Sequence, residues 1–257
     1  MKTQNIRRML VITTAVVFHF VLIFHLFFSP VIIIMASRHG IINASFVAYG
    51  IMFILSLFLG RAYCAWFCPG CGIQEVMNLV IRKKAKPSKL RYIKYGIFAI
   101  WLLVIVTGYV LNGVQGLDIS YGFGNITVER KIILTLGATL IILPVTLIFG
   151  QFASCQYICW QAPFMIIGNM LRNVFHLPGL RLRADKEKCR QCHRCTTSCP
   201  MGIDVMKNVN TGCMNDNECI LCGQCIDACP YHVIQYKLMK PPRPQRAHLA
   251  DQKISSI

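Results

Sequence analysis

Negative charge is what this 257-residue sequence has least of. Ten Asp and Glu stand against 27 Lys and Arg, and charged residues of both signs make up only 14%. So small a charged fraction, beside 55% hydrophobic residues and a mean hydropathy of +0.52, excludes an ordinary soluble domain and points to long apolar stretches. Histidine is missing from three of those stretches, 41–59, 93–111 and 132–149. A haem held by histidines of two helices therefore lacks a second ligand. The net charge of +17 would suit a nucleic-acid partner in a soluble chain. Here the basic residues bracket the apolar segments, which is the pattern of membrane topology, and no nucleic-acid partner is expected.

Four stretches reach the roughly 20 residues that a bilayer requires: Met9–Ala36, Ile41–Leu59, Ile93–Leu111 and Ile132–Phe149. Pro30 predicts an end or kink of the first near Ser29. That run far exceeds the apolar core of a cleaved signal peptide, about 7–15 residues. Lys2, Arg7 and Arg8 precede it, and Arg61, Arg82, Lys83, Lys84, Lys86, Lys89 and Arg91 fill the loop between the second and third stretches. The tail after the fourth is basic throughout, whereas the other two loops hold only Arg38, and Arg130 with Lys131. The positive-inside rule then predicts a multi-pass protein of a bacterial or archaeal cytoplasmic membrane, with both termini and the middle loop in the cytoplasm.

The expected organisation is an all-α transmembrane four-helix anchor over residues 1–180, a small α+β domain over 181–239, and an extended or disordered tail over 240–257 containing Pro241, Pro242 and Pro244. Within the anchor, Trp160–Phe175 reads as an interfacial segment, followed by the linker Leu177–Pro178–Gly179.

Fourteen cysteines are present, most in tight clusters ended by proline, a pattern for metal or cluster ligation rather than for a disulfide framework. Cys189, Cys192, Cys195 and Cys199–Pro200 follow the Cys-x2-Cys-x2-Cys-x3-Cys-Pro spacing of a bacterial two-cluster ferredoxin, and Cys219, Cys222, Cys225 and Cys229–Pro230 repeat it. Three cysteines on a tight loop hold three corners of one cubane, while the fourth points away and reaches its neighbour. One [4Fe–4S] cluster would take Cys189, Cys192, Cys195 and Cys229, the other Cys219, Cys222, Cys225 and Cys199. Zinc is the competing reading, but it favours four ligands in two well-separated pairs. Cys213, in the long connector, matches no ligand position and reads as a structural thiol.

A second repeat lies upstream. Gly60-Arg-Ala-Tyr-Cys64-Ala-Trp-Phe-Cys68 follows the second apolar stretch, and Gly150-Gln-Phe-Ala-Ser-Cys155-Gln-Tyr-Ile-Cys159 follows the fourth. On a helical turn that spacing puts both thiols of a pair on one face. Cys64, Cys68, Cys155 and Cys159 would supply four thiolates, enough for an additional cluster or metal centre at the membrane edge. The alternative is a set of buried thiols packing as small apolar residues, with Cys71 as a spare.

The string Gly60-Arg61-x2-Cys64-x-Trp66-x-Cys68-Pro69-x2-Gly72-x-Gln74-Glu75, with the doubled ferredoxin run, resembles the NapH-type membrane ferredoxins and their NosR and FixG relatives. The resemblance covers roughly residues 60 to 236. Two departures bear on it. The second motif reads Cys159–Trp160 rather than Cys–Pro, and neither the flavin-binding domain of NosR nor the extra C-terminal domain of FixG is recognisable, which narrows the likeness to NapH- and MauN-like proteins.

That likeness implies a membrane-bound electron-transfer subunit working between the quinone pool and other redox subunits, with the lipid bilayer, quinol and a partner redox protein as its contacts. A maturation factor that reduces a metal or thiol for another protein is the alternative, and a plain structural anchor a third. A quinone near the inner edge of the membrane would meet Arg61, Gln74 and Glu75. Glu75 would accept a quinol proton, or else face the basic stretch from the surface of an amphipathic helix. His19 and His25, within the first stretch, are candidates for a quinone or proton role, or for simple bonds to neighbouring carbonyls.

Overall fold

The computed structural model describes residues 2–24, 29–85, 89–121 and 127–241, and the fold is mostly helical. Helix α1 (Lys2–Phe24) is followed by α2 (Pro30–Ser37). Ser29 caps α2 by accepting from the Val31 amide, and Pro30 fills the first helical turn, where its missing N–H costs nothing. The first apolar stretch therefore carries a new helix start at the place where the proline predicted a break. Helix α1 begins seven positions before the expected Met9 because its first turns are packed against the rest of the protein: Arg7 and Val11 are fully buried.

Strand β1 (Ile41–Ile42) leads through the Asn43 cap, which accepts from the Phe46 amide at 3.0 Å, into α3 (Ala44–Leu59). The third stretch forms α6 (Ile93–Asn112), after α4 (Ala62–Trp66), α5 (Pro69–Met77) and a single 3-10 turn, Lys89–Tyr92. Strand β2 (Gly116–Leu117) runs parallel to β1 and closes the end of α3 and α6 remote from the cysteines. Helix α7 (Val128–Phe149) is followed by α8 (Ala153–Tyr157) and α9 (Gln161–Val174). Helix α1 packs on α5, α3 on α9, and α2 on α6.

Of these, the helical stretch 89–112 is long and apolar enough to cross a membrane, whereas 44–59 and 139–149 are apolar but shorter. The outer faces of α3, α6 and α7 are nonetheless apolar: Ile51 and Ile54, Ile100 and Leu103, Ile133 and Leu140 are all exposed.

The upstream repeat is visible in the backbone. Helices α3 and α7 end at glycines with positive φ, Gly60 at 58° and Gly150 at 107°, whose amides bond the carbonyls of Ser56 and Thr146 at 2.9 Å each. Each glycine redirects the chain into a five-residue helix, α4 or α8, carrying the first cysteine of its pair. Two consecutive amides then converge on one carbonyl: Phe67 and Cys68 on Tyr63, at 2.9 and 3.0 Å, and Ile158 and Cys159 on Ser154, at 3.1 and 2.9 Å. The proline after Cys68 and the tryptophan after Cys159 thus follow the same backbone turn.

The C-terminal part is framed by an antiparallel pair, β3 (Gly179–Ala184) and β4 (Ile234–Met239), in register from Gly179 opposite Met239 to Ala184 opposite Ile234. Between them lie α10 (Arg194–Ser198), α11 (Val205–Asn210) and α12 (Gln224–Asp227). Asp204 starts α11 by accepting from the Lys207 amide, and Cys213 is buried beside Arg181, with its Sγ 3.8 Å from the Met214 carbonyl. Gly179 lies in β3 rather than in the expected linker, because the ladder with β4 reaches back to it.

Candidate functional site

The two downstream cysteine runs fold alike. Gln191 and His193 in one loop, and Leu221 and Gly223 in the other, take positive φ of 51°, 57°, 54° and 77°. Gly202 and His232, just past the two prolines, do so at 63° and 50°. Alternating right- and left-handed backbone turns successive N–H groups toward one side, which makes a nest for an anion. Such strain in non-glycine residues persists where the surroundings demand it. At Gly223 a Cβ would stand 2.6 Å from Tyr236 Oη.

Helices α10 and α12 carry the third cysteine of each run, Cys195 and Cys225, and the fourth follows at once, Cys199 and Cys229. The structure gathers Cys189, Cys192, Cys195 and Cys229 around one cavity, lined also by Arg190, His193 and Tyr231. Around Cys225 it gathers Cys222, Cys219 and Cys199 as electrostatic neighbours, with Cys195 of the other set a weaker one. Among the described residues no group of three or more Cys, His, Asp or Glu is placed to hold a single metal ion. Four thiols around a nest suit a polynuclear, anionic cluster.

The two sets differ in surroundings. Cys192 is exposed, with Arg190, His193, Arg194 and Tyr231 around it also exposed. Cys222 is buried against the helical part: Gln4 Nε2 donates to its carbonyl at 2.9 Å, and the Leu221 carbonyl accepts from Trp66 Nε1 at 3.2 Å and Tyr236 Oη at 2.8 Å. On the other side Arg91 donates to the carbonyl of Met201 and to Gln156 Oε1, both at 3.0 Å.

The upstream pairs also come together. Cys68 has Cys64, Cys155 and Cys159 as electrostatic neighbours, and Cys71 is hydrogen-bonded to Cys155. Gln74 Nε2 donates to Cys155 Sγ at 2.8 Å. Burial pushes the Cys68 thiol far up, and pushes Cys159 up to about 12, with Cys155 and Cys64 adding to it. Cys155 alone in this group is held below the ordinary thiol value, by the hydrogen bond from Cys71 and, against burial, the one from Gln74.

Buried charge surrounds this seam. Arg7 and Lys94 are 0% exposed, Arg61 1% and Glu75 2%. Glu75 accepts from Arg7 at 3.0 Å and from Arg8 at 2.9 Å. Glu218 accepts from Arg61 at 2.8 Å and from Lys94 at 2.5 Å. Burial alone would raise the Glu218 carboxyl, but Arg61 and Lys94 outweigh it and hold the group below the usual carboxylate range.

The three residues expected to meet a quinone are all internal: Arg61 on Glu218, Gln74 on Cys155 and the Gly70 carbonyl, Glu75 on two arginines. Glu75 is thus no surface residue of an amphipathic helix, because the N-terminal turns of α1 cover it. His19 lies within α1, and His25 lies outside the described residues. Sequence reasoning counted Arg7 only as a topogenic charge and passed over Lys94, Glu218 and the Trp66 indole. In a chain with ten carboxylates, one placed immediately before a cluster-type cysteine was a signal for Glu218.

Two family models match, one described as a 4Fe-4S dicluster domain over residues 181–236 and one as a 4Fe-4S binding domain over 44–88. YccM of Escherichia coli (strain K12) is 24% identical over 217 residues, which is 76% of this chain and 56% of that protein. The ferredoxin-type protein NapH of Haemophilus influenzae is 27% identical over 224 residues, 79% of this chain and 71% of NapH. Protein NirI of Paracoccus denitrificans is 30% identical over 183 residues, 66% of this chain and 25% of NirI. The chain therefore spans about half the length of YccM and a quarter of NirI. No solved structure matches it.

Proposed function

The chain belongs to the NapH-type ferredoxin family, and from that premise we propose that it is a membrane-anchored iron–sulfur electron-transfer subunit passing electrons between the quinone pool and a partner redox protein. The observation that carries this reading is the asymmetry of the two thiol sets, one opening outward at exposed Cys192 and one buried against the helical part.

Cys189, Cys192, Cys195 and Cys229 would hold one [4Fe–4S] cluster, and Cys199, Cys219, Cys222 and Cys225 the other. When bound, each supplies a one-electron couple. The protein's own part is to present inward-facing amides from the two nests, to exclude water around Cys222, and to leave Cys192 within reach of a partner. Arg190 and Arg194, both exposed, make that opening basic.

The exposed apolar faces of α3, α6 and α7, with the stretch that begins in α1, support a four-pass anchor. The distribution of Lys and Arg supports cytoplasmic termini and clusters. Gln74 Oε1 and Glu75 Oε2 are buried acceptors with no hydrogen-bond partner among the described residues. They suit the two hydroxyl protons of a hydroquinone at the inner edge of the bilayer.

The test is quinol-driven reduction. Full-length protein in lipid nanodiscs, prepared without oxygen, is mixed with ubiquinol or menaquinol and followed by electron paramagnetic resonance. Reduced-cluster signals that require added quinol are the expected result. Clusters that dithionite reduces but neither quinol does would overturn the reading.

A further inference from the structure

We propose that the seam between the two upstream repeats holds a third iron–sulfur cluster, ligated by Cys64, Cys68, Cys155 and Cys159. The 4Fe-4S binding match ends at residue 88, so half of these ligands come from outside it.

Three observations carry the assignment. The first is the paired geometry. A buried thiol that merely fills space needs no counterpart, yet in each repeat the first cysteine lies in the short helix that follows the glycine and the second just past it, where two amides bond one carbonyl, and the fold places the two pairs side by side. Cys71 lacks such a counterpart, since Ala162 occupies the matching place of the second repeat. It is therefore a neighbour of the site and not a ligand.

The second is a donor spent on sulfur. The Gln74 amide points its N–H group at Cys155 Sγ, 2.8 Å away. A neutral thiol is a weak acceptor, whereas a metal-bound thiolate is a good one.

The third is charge. Arg7, Arg61 and Lys94 are buried, half-exposed Arg8 joins them, and the four cations share two carboxylates, Glu75 and Glu218. Buried charge without compensation is costly, and a site of this kind calls for an anion. An iron–sulfur cluster on four thiolates is one. Arg61 and Lys94, two cations on the single carboxylate of Glu218, are electrostatic neighbours of both Cys64 and Cys155, whereas Arg7 lies beside Cys222.

The position gives the cluster its role, which rests on the electron-transfer reading above. Trp66, between Cys64 and Cys68 in the chain, bonds the Leu221 carbonyl next to Cys222. A hydroquinone becomes a quinone by releasing two protons and two electrons. Cys64, Cys68, Cys155 and Cys159 would hold a one-electron carrier through which the two electrons pass singly toward the cluster held at Cys222, with the partner redox protein as final acceptor and the two protons released to water.

The experiment is a count of iron and acid-labile sulfide per chain on anaerobically purified full-length protein, with paramagnetic resonance spectra. Wild type should hold about two to four irons beyond the eight of two cubanes. Cys68→Ser and Cys159→Ser should lose that excess and keep the other signals, while Cys71→Ser should retain it. About eight irons in wild type, or an excess that is zinc, overturns the proposal, and this count decides the matter even where the variants do not accumulate. Eight irons with quinol-driven reduction removes the seam cluster alone. Excess iron at the seam without such reduction removes the quinol reading alone.

Discussion

Arg61 Nη1 stands 2.8 Å from one oxygen of Glu218, and Lys94 Nζ stands 2.5 Å from the other. Arg61 follows α3, Lys94 opens α6, and Glu218 immediately precedes Cys219, so one carboxylate ties the helical part to a cluster loop. Removing it leaves two cations buried and unpaired. Glu218→Ala is expected to cost about 3–5 kcal/mol, the range for breaking one partner out of a buried pair. Thermal unfolding in detergent measures it, and a midpoint indistinguishable from wild type would show that the tie carries no stability.

The two repeat glycines should differ in tolerance. Both have positive φ, but a Cβ at Gly150 would lie 2.4 Å from the Lys83 carbonyl oxygen, whereas at Gly60 the nearest atom is 3.5 Å away, an ordinary contact with the Arg172 side chain. Gly60→Ala therefore carries backbone strain alone, about 1–3 kcal/mol, and Gly150→Ala carries that strain plus a clash with main chain. The same melts should rank Gly150→Ala below Gly60→Ala; the reverse order would count against the geometry at Lys83.

Crossed ligation makes spectra group by cluster rather than by sequence run. Cys229→Ser should perturb the same resonance as Cys192→Ser, and Cys199→Ser the same one as Cys222→Ser. Each variant is expected to lose up to about four irons. Should Cys229→Ser group with Cys222→Ser, each run would hold its own cluster and the exchange of fourth cysteines would be wrong.

Topology has its own test. A reporter enzyme active only outside the cytoplasm should be active when joined after Val114 and silent when joined after Leu79 or Met239. Activity after Leu79 would invert the orientation read from the lysines and arginines.

Much of the candidate site was written locally. Successive cysteines within each run or pair lie three or four positions apart, so both downstream runs and both upstream pairs are legible as spacing, and apolar runs announce helices by length. The burial of Glu75 was not legible, because its cover comes from Arg7 and Arg8, 68 and 67 positions away. Nor was the pairing of Gln74 with Cys155, 81 positions on, or of Glu218 with Arg61 and Lys94.

The amino-acid order alone therefore determined which thiols form sets, which stretches are apolar, and where the chain must bend, since each depends on neighbours within a turn or two. Tertiary structure decided that one downstream set turns inward and the other outward, and which cations share which carboxylate. Those outcomes depend on Coulombic and packing partners that become neighbours only when distant helices close on one another, and no local pattern encodes that meeting.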